Sequence, residues 1–154
     1  VLELVPDEYK RKGLFPAGRL DKDTTGMMII TNDGGFAHDI LSPKKHIAKT
    51  YKVTIDIEIT EKMKKDFAKG IVLKDHVCCP AIIRVENENT ALITITEGKY
   101  HQIKRMFGCF GAKVVELHRI RMGNLDLPTD LKQGECRELS AKEINLLKEK
   151  IVEL

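Results

Sequence analysis

The stretch Gly18-Arg19-Leu20-Asp21-Lys22-Asp23-Thr24-Thr25-Gly26 runs directly into Met27-Met28-Ile29-Ile30-Thr31 and then Asn32-Asp33-Gly34-Gly35. The apolar run at 27–30 is bounded by glycines, which is typical of a strand covered on both faces. The glycine-rich segment after it favours a tight turn, because its residues tolerate positive φ. The sequence therefore predicts a polar loop, a buried strand and a turn, with Asp21 on the loop.

Asp21 has two interpretations when only its surroundings are considered. Reactive side chains often lie on a loop beside a rigid strand. A loop aspartate is more often a cap or a turn former than a nucleophile, however. The local pattern alone favours the second interpretation.

Length and composition indicate the class of protein. With 154 residues, 42% of them hydrophobic and 32% charged, the chain suits one globular domain, expected over residues 1–154. No apolar run approaches the ~18 residues of a membrane span, and no signal peptide opens the chain. The four cysteines and five histidines lack metal-ligand spacings. We therefore expect a cytoplasmic protein with free thiols, no bound metal and no membrane contact.

Charge is distributed unevenly along the chain. The net charge of +3 does not indicate a nucleic-acid partner by itself. Between Lys99 and Arg121, however, six basic residues stand against one acid. Such a local basic patch is expected of a protein that binds a phosphate backbone, although a solvated charged face is as common.

Hydrophobic periodicity predicts the other elements. Helices are predicted at 7–12, 36–41, 61–69 and 100–110. A capping box of Ser140 and Glu143 opens a last helix, whose apolar stripe is Ile144, Leu147, Ile151 and Leu154. Strands are predicted at 51–57, 71–83, 84–97 and 114–122, with a hairpin tip at 86–89. This mixture indicates the α+β class.

The segment from Gly18 to Gly34 resembles the signature of the pseudouridine synthases that act on small-subunit ribosomal RNA and their large-subunit relatives. In that signature a Gly-Arg-Leu-Asp loop precedes a Thr, a Gly, an aliphatic run and Thr-Asn-Asp-Gly; Met27 and Met28 stand where leucine is usual. The resemblance implies that Asp21 is the catalytic aspartate. It also implies the pseudouridine-synthase fold: α+β, with a central, mainly antiparallel mixed sheet, packed helices and an active-site cleft.

Isomerisation of uridine breaks the bond between sugar and base, turns the base and reattaches it through carbon. The reaction needs no cofactor or metal in principle. An ionised carboxylate can attack or stabilise the sugar. Three steps stay open for Asp21: addition to the anomeric carbon, addition to the base, or abstraction of a sugar proton.

A second stretch, Glu97-Gly98-Lys99-Tyr100-His101-Gln102-Ile103-Lys104-Arg105-Met106, resembles another motif of the family. The resemblance implies that Lys104 pairs with the catalytic aspartate, since a carboxylate in a closed site needs a cationic partner. Arg105 is then expected to face an RNA phosphate. Without the resemblance, both residues are explained as surface charges on an amphipathic helix.

Lys49-Thr50-Tyr51 resembles the Lys-x-Tyr strand motif of the same family, which implies that Tyr51 lies in the active site. An aromatic ring can stack on a flipped-out uracil with about 1–3 kcal/mol. The alternative is an ordinary aromatic residue on the inner face of a strand.

Arg19 is predicted to contact the backbone of an everted nucleotide or, alternatively, to fix the loop by hydrogen bonding. Weaker predictions extend an RNA track over basic side chains, about half of which we expect near RNA: Lys44, Lys45, Lys49, Lys99, His101, Lys113, Arg119 and Arg121.

The resemblance thus predicts an enzyme that isomerises a uridine in ribosomal RNA, or its precursor, to pseudouridine. The segment Leu117–Gly123 looks closest to the small-subunit branch; a large-subunit substrate and a non-catalytic RNA-binding assembly factor are the alternatives. We expect a monomer without a small-molecule cofactor. Family members generally carry a small N-terminal RNA-binding module, which we expect to be missing here, either because the chain is a catalytic fragment or because the natural protein is short.

Overall fold

A computed structural model describes residues 1–45, 47–99 and 101–149. Its strands are β1 (Phe15–Pro16), β2 (Thr25–Gly26), β3 (Ile30–Thr31), β4 (Lys49–Ile55), β5 (Ile82–Val85), β6 (Thr90–Ile95), β7 (Val114–Met122) and β8 (Leu125–Asp126). Its α-helices are α1 (Gly34–Leu41), α2 (Glu61–Lys69), α3 (Gln102–Gly108) and α4 (Ala141–Leu147), and 3-10 turns lie at Leu2–Leu4, Asp7–Tyr9 and Pro43–Lys45.

A six-stranded sheet in the order β2-β7-β4-β6-β5 organises the molecule, with β8 also paired to β7. Every pairing is antiparallel except that of β2 with β7, which is parallel. The predicted α+β class and the mainly antiparallel mixed sheet are therefore confirmed. The central strands form because their side chains alternate: Val53 and Ile55 of β4 are buried, whereas Lys52 and Thr54 on the opposite face are exposed and partly exposed, respectively.

The main hydrophobic core joins the sheet to α2 and α3. Phe67 of α2 and Phe107 of α3 are fully buried, with ring centroids 4.9 Å apart. Helix α2 has its predicted bounds, because the Thr60 hydroxyl accepts the N–H of Met63 at one end and Gly70 adopts φ 98° at the other. This core fixes α3 against the sheet.

A second core lies under the segment that follows the Asp21 loop. Met27 and Ile29 pack there with Ile40 of α1, Met122 of β7 and Leu147 of α4. The predicted capping box at the start of α4 is confirmed, since Ser140 and Glu143 exchange both hydrogen bonds. Of the predicted apolar stripe on this helix, Ile151 and Leu154 lie outside the described residues.

The prediction of one continuous strand at 27–30 was wrong. The chain leaves the main sheet at Gly26, whose φ of 117° breaks the strand, and joins a small β1–β3 sheet four residues later. In between, the N–H of Met27 donates to the carbonyl of Arg119 at 2.9 Å, and the carbonyl of Ile29 accepts from Ala17 at 2.7 Å. The apolar run therefore bridges two sheets, which explains its burial without a regular strand.

Three further expectations need correction. The predicted strand at 71–83 is irregular until β5, apart from a bridge between Val72 and Val77. The predicted helix at 7–12 is a 3-10 turn at Asp7–Tyr9, and α3 is shorter than its predicted span.

Within the described part of the chain, no helix is long and apolar enough to cross a membrane.

Candidate active site

The Asp21 loop is fastened at both ends. Before it, Ala17 is completely buried. After it, Gly26 lies so close to β7 that a Cβ there would stand 2.2 Å from the carbonyl oxygen of Arg119. Within it, the carbonyl of Asp21 accepts the N–H of Thr24 at 2.9 Å. The loop is therefore held as a defined turn at the edge of the sheet.

Two basic side chains of the α3 region approach the Asp21 carboxylate. Nε2 of His101 lies 3.6 Å from Oδ1, and Nζ of Lys104 lies 3.6 Å from Oδ2. The exposed fractions of the three side chains are 30% for Asp21, 37% for His101 and 28% for Lys104. The structure thus brings the sequence-predicted pair Asp21 and Lys104 together. It adds His101, which the sequence had assigned to the RNA track.

The turn that precedes α3 carries His101 in an unusual conformation. His101 has φ 46° and ψ 37°, and it is the one non-glycine residue with positive φ in the described chain. The next residue, Gln102, is 3% exposed. Its side-chain carbonyl accepts the N–H of Lys99 at 3.1 Å, and its amide donates to Oε1 of Glu97 at 3.0 Å.

Glu97 is a buried carboxylate that sequence reasoning did not single out. It also accepts the N–H of Cys79 at 2.7 Å and lies 2.9 Å from Nε2 of His76. Burial alone raises the pKa of the Glu97 carboxyl, but the Cys79 N–H, His76 and Gln102 together bring the pKa below its ordinary value. Two of these partners, His76 and Cys79, come from a segment about twenty residues earlier, so no local signal in the sequence could have revealed them.

His76, Cys78 and Glu97 have potential ligand atoms within 4.8 Å of one another, the one such cluster in the part of the chain that the structure describes. Metal binding requires a deprotonated thiol. Burial, with a smaller contribution from Glu97, raises the pKa of the Cys78 thiol to about 11. Both oxygens of Glu97 already accept hydrogen bonds, so the cluster is better explained as a hydrogen-bonded network than as a metal centre.

Tyr51 is half-buried on β4, where it packs against the main core and lies opposite Arg119 of β7. Lys49, two residues earlier, is only 6% exposed. Burial and then the nearby charge of Arg119 lower the pKa of Lys49 to about 8. Lys49 therefore does not belong to an exposed RNA track, as the sequence suggested, but to the interior of the sheet.

The other predicted RNA contacts divide into two groups. The side chains of Arg19, Lys44, Lys45 and Lys99 are exposed, as RNA contact requires. Arg105 instead forms an ion pair with Asp75. Arg119 is 2% exposed, and its guanidinium donates to the Met27 carbonyl at 2.8 and 2.5 Å. Its burial contradicts the expectation that it contacts RNA; it supports the segment after the Asp21 loop.

This sheet, with a carboxylate loop at its edge, is the fold of pseudouridine synthases. A crystal structure described as a pseudouridylate synthase superposes with a TM-score of 0.85 at 43% identity, covering 88% of this chain and 60% of the other. The sequence model for the RNA pseudouridylate synthase family matches residues 2–108. The chain belongs to this family.

Curated relatives agree with the family. A ribosomal small subunit pseudouridine synthase A of Escherichia coli (strain K12) is 45% identical over 140 residues, covering 90% of this chain and 61% of the relative. An uncharacterized RNA pseudouridine synthase of Bacillus subtilis (strain 168) is 44% identical over 154 residues, covering 97% and 64%. The chain thus spans a little over three-fifths of the length of these relatives.

Proposed function

We propose that this chain is the catalytic region of an enzyme that isomerises uridine in ribosomal RNA to pseudouridine, with Asp21 as the catalytic residue. The observation that carries the proposal is the position of the half-buried Asp21 carboxylate between His101 and Lys104, 3.6 Å from each. The name of the Escherichia coli relative supports small-subunit RNA as the substrate, in preference to large-subunit RNA.

The geometry suits a carboxylate that must react. A separation of 3.6 Å is longer than a hydrogen bond, so His101 and Lys104 flank the carboxylate without donating a hydrogen bond to its oxygens. Lone pairs of Asp21 therefore remain available to a sugar or base carbon. The Lys104 ammonium can in turn stabilise negative charge that develops on the base or sugar.

The substrate uridine has to leave its stack to reach such a carboxylate. Exposed cations stand beside the reacting groups in the chain: Arg19 precedes Asp21 by two residues, and Lys99 precedes His101 by two. We assign them the phosphates on either side of a flipped nucleotide. We assign Tyr51 the stacking role that the family resemblance implies.

A protein that only binds RNA has no use for this arrangement. A carboxylate placed among cations lowers the local positive potential and weakens attraction to phosphates. The presence of Asp21 at the centre of the group therefore supports catalysis over simple binding.

The test is a pseudouridine assay by chemical labelling on unmodified small-subunit and large-subunit ribosomal RNA fragments. Wild type is compared with Asp21→Asn and with the matched control Asp23→Asn, an exposed aspartate of the same loop. We expect product from wild type and control on small-subunit RNA, at least a 10³-fold loss for Asp21→Asn, and similar RNA affinity for all three. Product from Asp21→Asn at the wild-type rate, or none from wild type despite RNA binding, would overturn the proposal.

A further inference from the structure

The polar network behind α3 is more elaborate than the packing of a short helix requires. The Glu97 side chain is 5% exposed and accepts from three groups: the N–H of Cys79, His76 and the amide of Gln102. A buried carboxylate is costly unless all its lone pairs are used, and here the partners nearly exhaust them. Glu97 is thus a buried anchor whose two carboxylate oxygens both accept hydrogen bonds.

Gln102 links the buried Glu97 carboxylate to the backbone turn that precedes α3. Its amide group donates to Glu97 and its carbonyl accepts the N–H of Lys99, so only one orientation of the amide satisfies both ends. The N–H of Gln102 itself donates to the carbonyl of Lys99 at 3.1 Å. The turn between Lys99 and Gln102 is therefore closed by two hydrogen bonds and tied to a buried group.

This closed turn sustains the left-handed conformation of His101. A non-glycine residue adopts such a φ only when its surroundings impose it. The conformation of His101 therefore determines where the following side chains point. The ring of His101 lies near Oδ1 of Asp21, and Lys104, one turn into α3, lies near Oδ2. A relaxed turn would move the side chains of His101 and Lys104 away from the carboxylate together.

We propose that Gln102, held by Glu97, is a positioning residue that sets His101 and Lys104 on opposite oxygens of Asp21. This inference rests on the proposed function, because it takes Asp21 as the reacting group. A displacement of about 1 Å in a reacting geometry can cost on the order of 10²-fold in rate. Loss of the Gln102 link therefore affects the chemical step rather than RNA binding.

The experiment uses Gln102→Glu, which keeps the volume and the acceptor for Lys99 but sets a carboxylate against Glu97. Gln102→Ala is the second variant, and Gln133→Glu, an exposed glutamine, is the matched control. Single-turnover rates and RNA affinities are measured below the melting temperature of each variant. We expect a rate loss of at least tenfold for both Gln102 variants, RNA affinity within twofold of wild type, and an unchanged control.

A second readout separates positioning from general stability. The NMR resonances of the His101 ring are assigned by replacing His101. In an otherwise wild-type protein, Asp21→Asn is expected to shift these resonances. In the Gln102→Ala background this shift should fall by half or more. A full shift in that background, or Gln102 variants within twofold of the wild-type rate, would overturn the inference. Retained activity of Asp21→Asn would instead refute the proposed function, and the ring shift would still decide the role of Gln102.

Discussion

At the scale of single residues, the site shows how similar side chains acquire different roles from their surroundings. Lys104 stays partly in solvent and faces a carboxylate, whereas Lys49 is 6% exposed and has the cation Arg119 as its neighbour. A buried cation beside another cation destabilises the fold.

The replacement Lys49→Met tests this cost. The pKa of Lys49 is about 8 in the folded state and ~10.4 in the unfolded state, so the full destabilisation by the buried charge is present below pH 8. Between these pKa values the unfolded chain binds the extra proton, so wild-type stability rises with pH. At 1.36 kcal/mol per pKa unit, we expect Lys49→Met to raise the free energy of unfolding by about 3 kcal/mol at pH 7, with the pH-dependent part of the gain lost near pH 10.

Denaturant unfolding of wild type and Lys49→Met at pH 7 and pH 10 measures both quantities. Lys52→Met is the matched control, because Lys52 lies on the same strand and is exposed. The control should change stability by less than about 0.5 kcal/mol at either pH. A gain for Lys49→Met that is the same at both pH values would show that the buried charge is not its source.

At the scale of elements, the parallel pairing of β2 with β7 places the Asp21 loop. Thr25 and Gly26 lie in register with His118 and Arg119, and the Thr25 hydroxyl is 2.7 Å from Nδ1 of His118. This contact is two residues long, so it depends on the close approach that Gly26 permits. A side chain at Gly26 would meet backbone atoms of β7, which cannot move aside as a flexible side chain can.

Gly26→Ala is accordingly expected to damage both fold and site. The added Cβ would stand 2.2 Å from a carbonyl oxygen at a φ of 117°, so β2 must separate from β7. We expect a loss of about 2–4 kcal/mol in the free energy of unfolding and a larger fall in activity than in RNA affinity. Gly34→Ala is the control, since a Cβ there meets open space and Gly34 begins α1. Equal stability of the two variants would contradict the role given to the β2–β7 contact.

How far the sequence predicts these elements depends on how local their causes are. Helix α2, strand β7 and the hairpin tip at 86–89 follow from periodicity, caps and turn residues within each segment. The run at 27–30 was misjudged because its hydrogen bonds go to Arg119 and Ala17 in other elements. The candidate site divides in the same way. Its motifs indicated Asp21 and Lys104, whereas the contact between His76 and Glu97 spans 21 residues and leaves no local pattern in the sequence.

At the scale of the whole molecule, exposed cations lie in separate elements, and one pair of them follows the helix that packs on the Asp21 loop. The side chain of Leu41, at the end of α1, lies against Gly18, at the start of that loop. The 3-10 turn that carries the exposed Lys44 and Lys45 follows directly after α1. Helix α2 packs instead near β5, which is the opposite edge of the sheet from β2. The molecule thus has exposed lysines in a turn that α1 connects to the Asp21 loop, and a second group of exposed lysines on α2, beside the other edge strand of the sheet.

The double replacement of Lys44 and Lys45 by glutamine tests the lysines of that turn through the salt dependence of RNA binding. Each phosphate contact contributes about 0.7 to the slope of log K against log salt for a single strand. We expect the slope to fall by roughly 1 to 1.5 and affinity to weaken equally for RNAs of different sequence, while the single-turnover rate at saturating RNA stays unchanged. The matched control replaces Lys65 and Lys69, which are exposed on α2, and should leave the slope as in wild type. Equal slopes for both double variants would show that RNA does not cross the surface at Lys44 and Lys45. It would then have to reach Asp21 from the side of Arg19 and Lys99 alone.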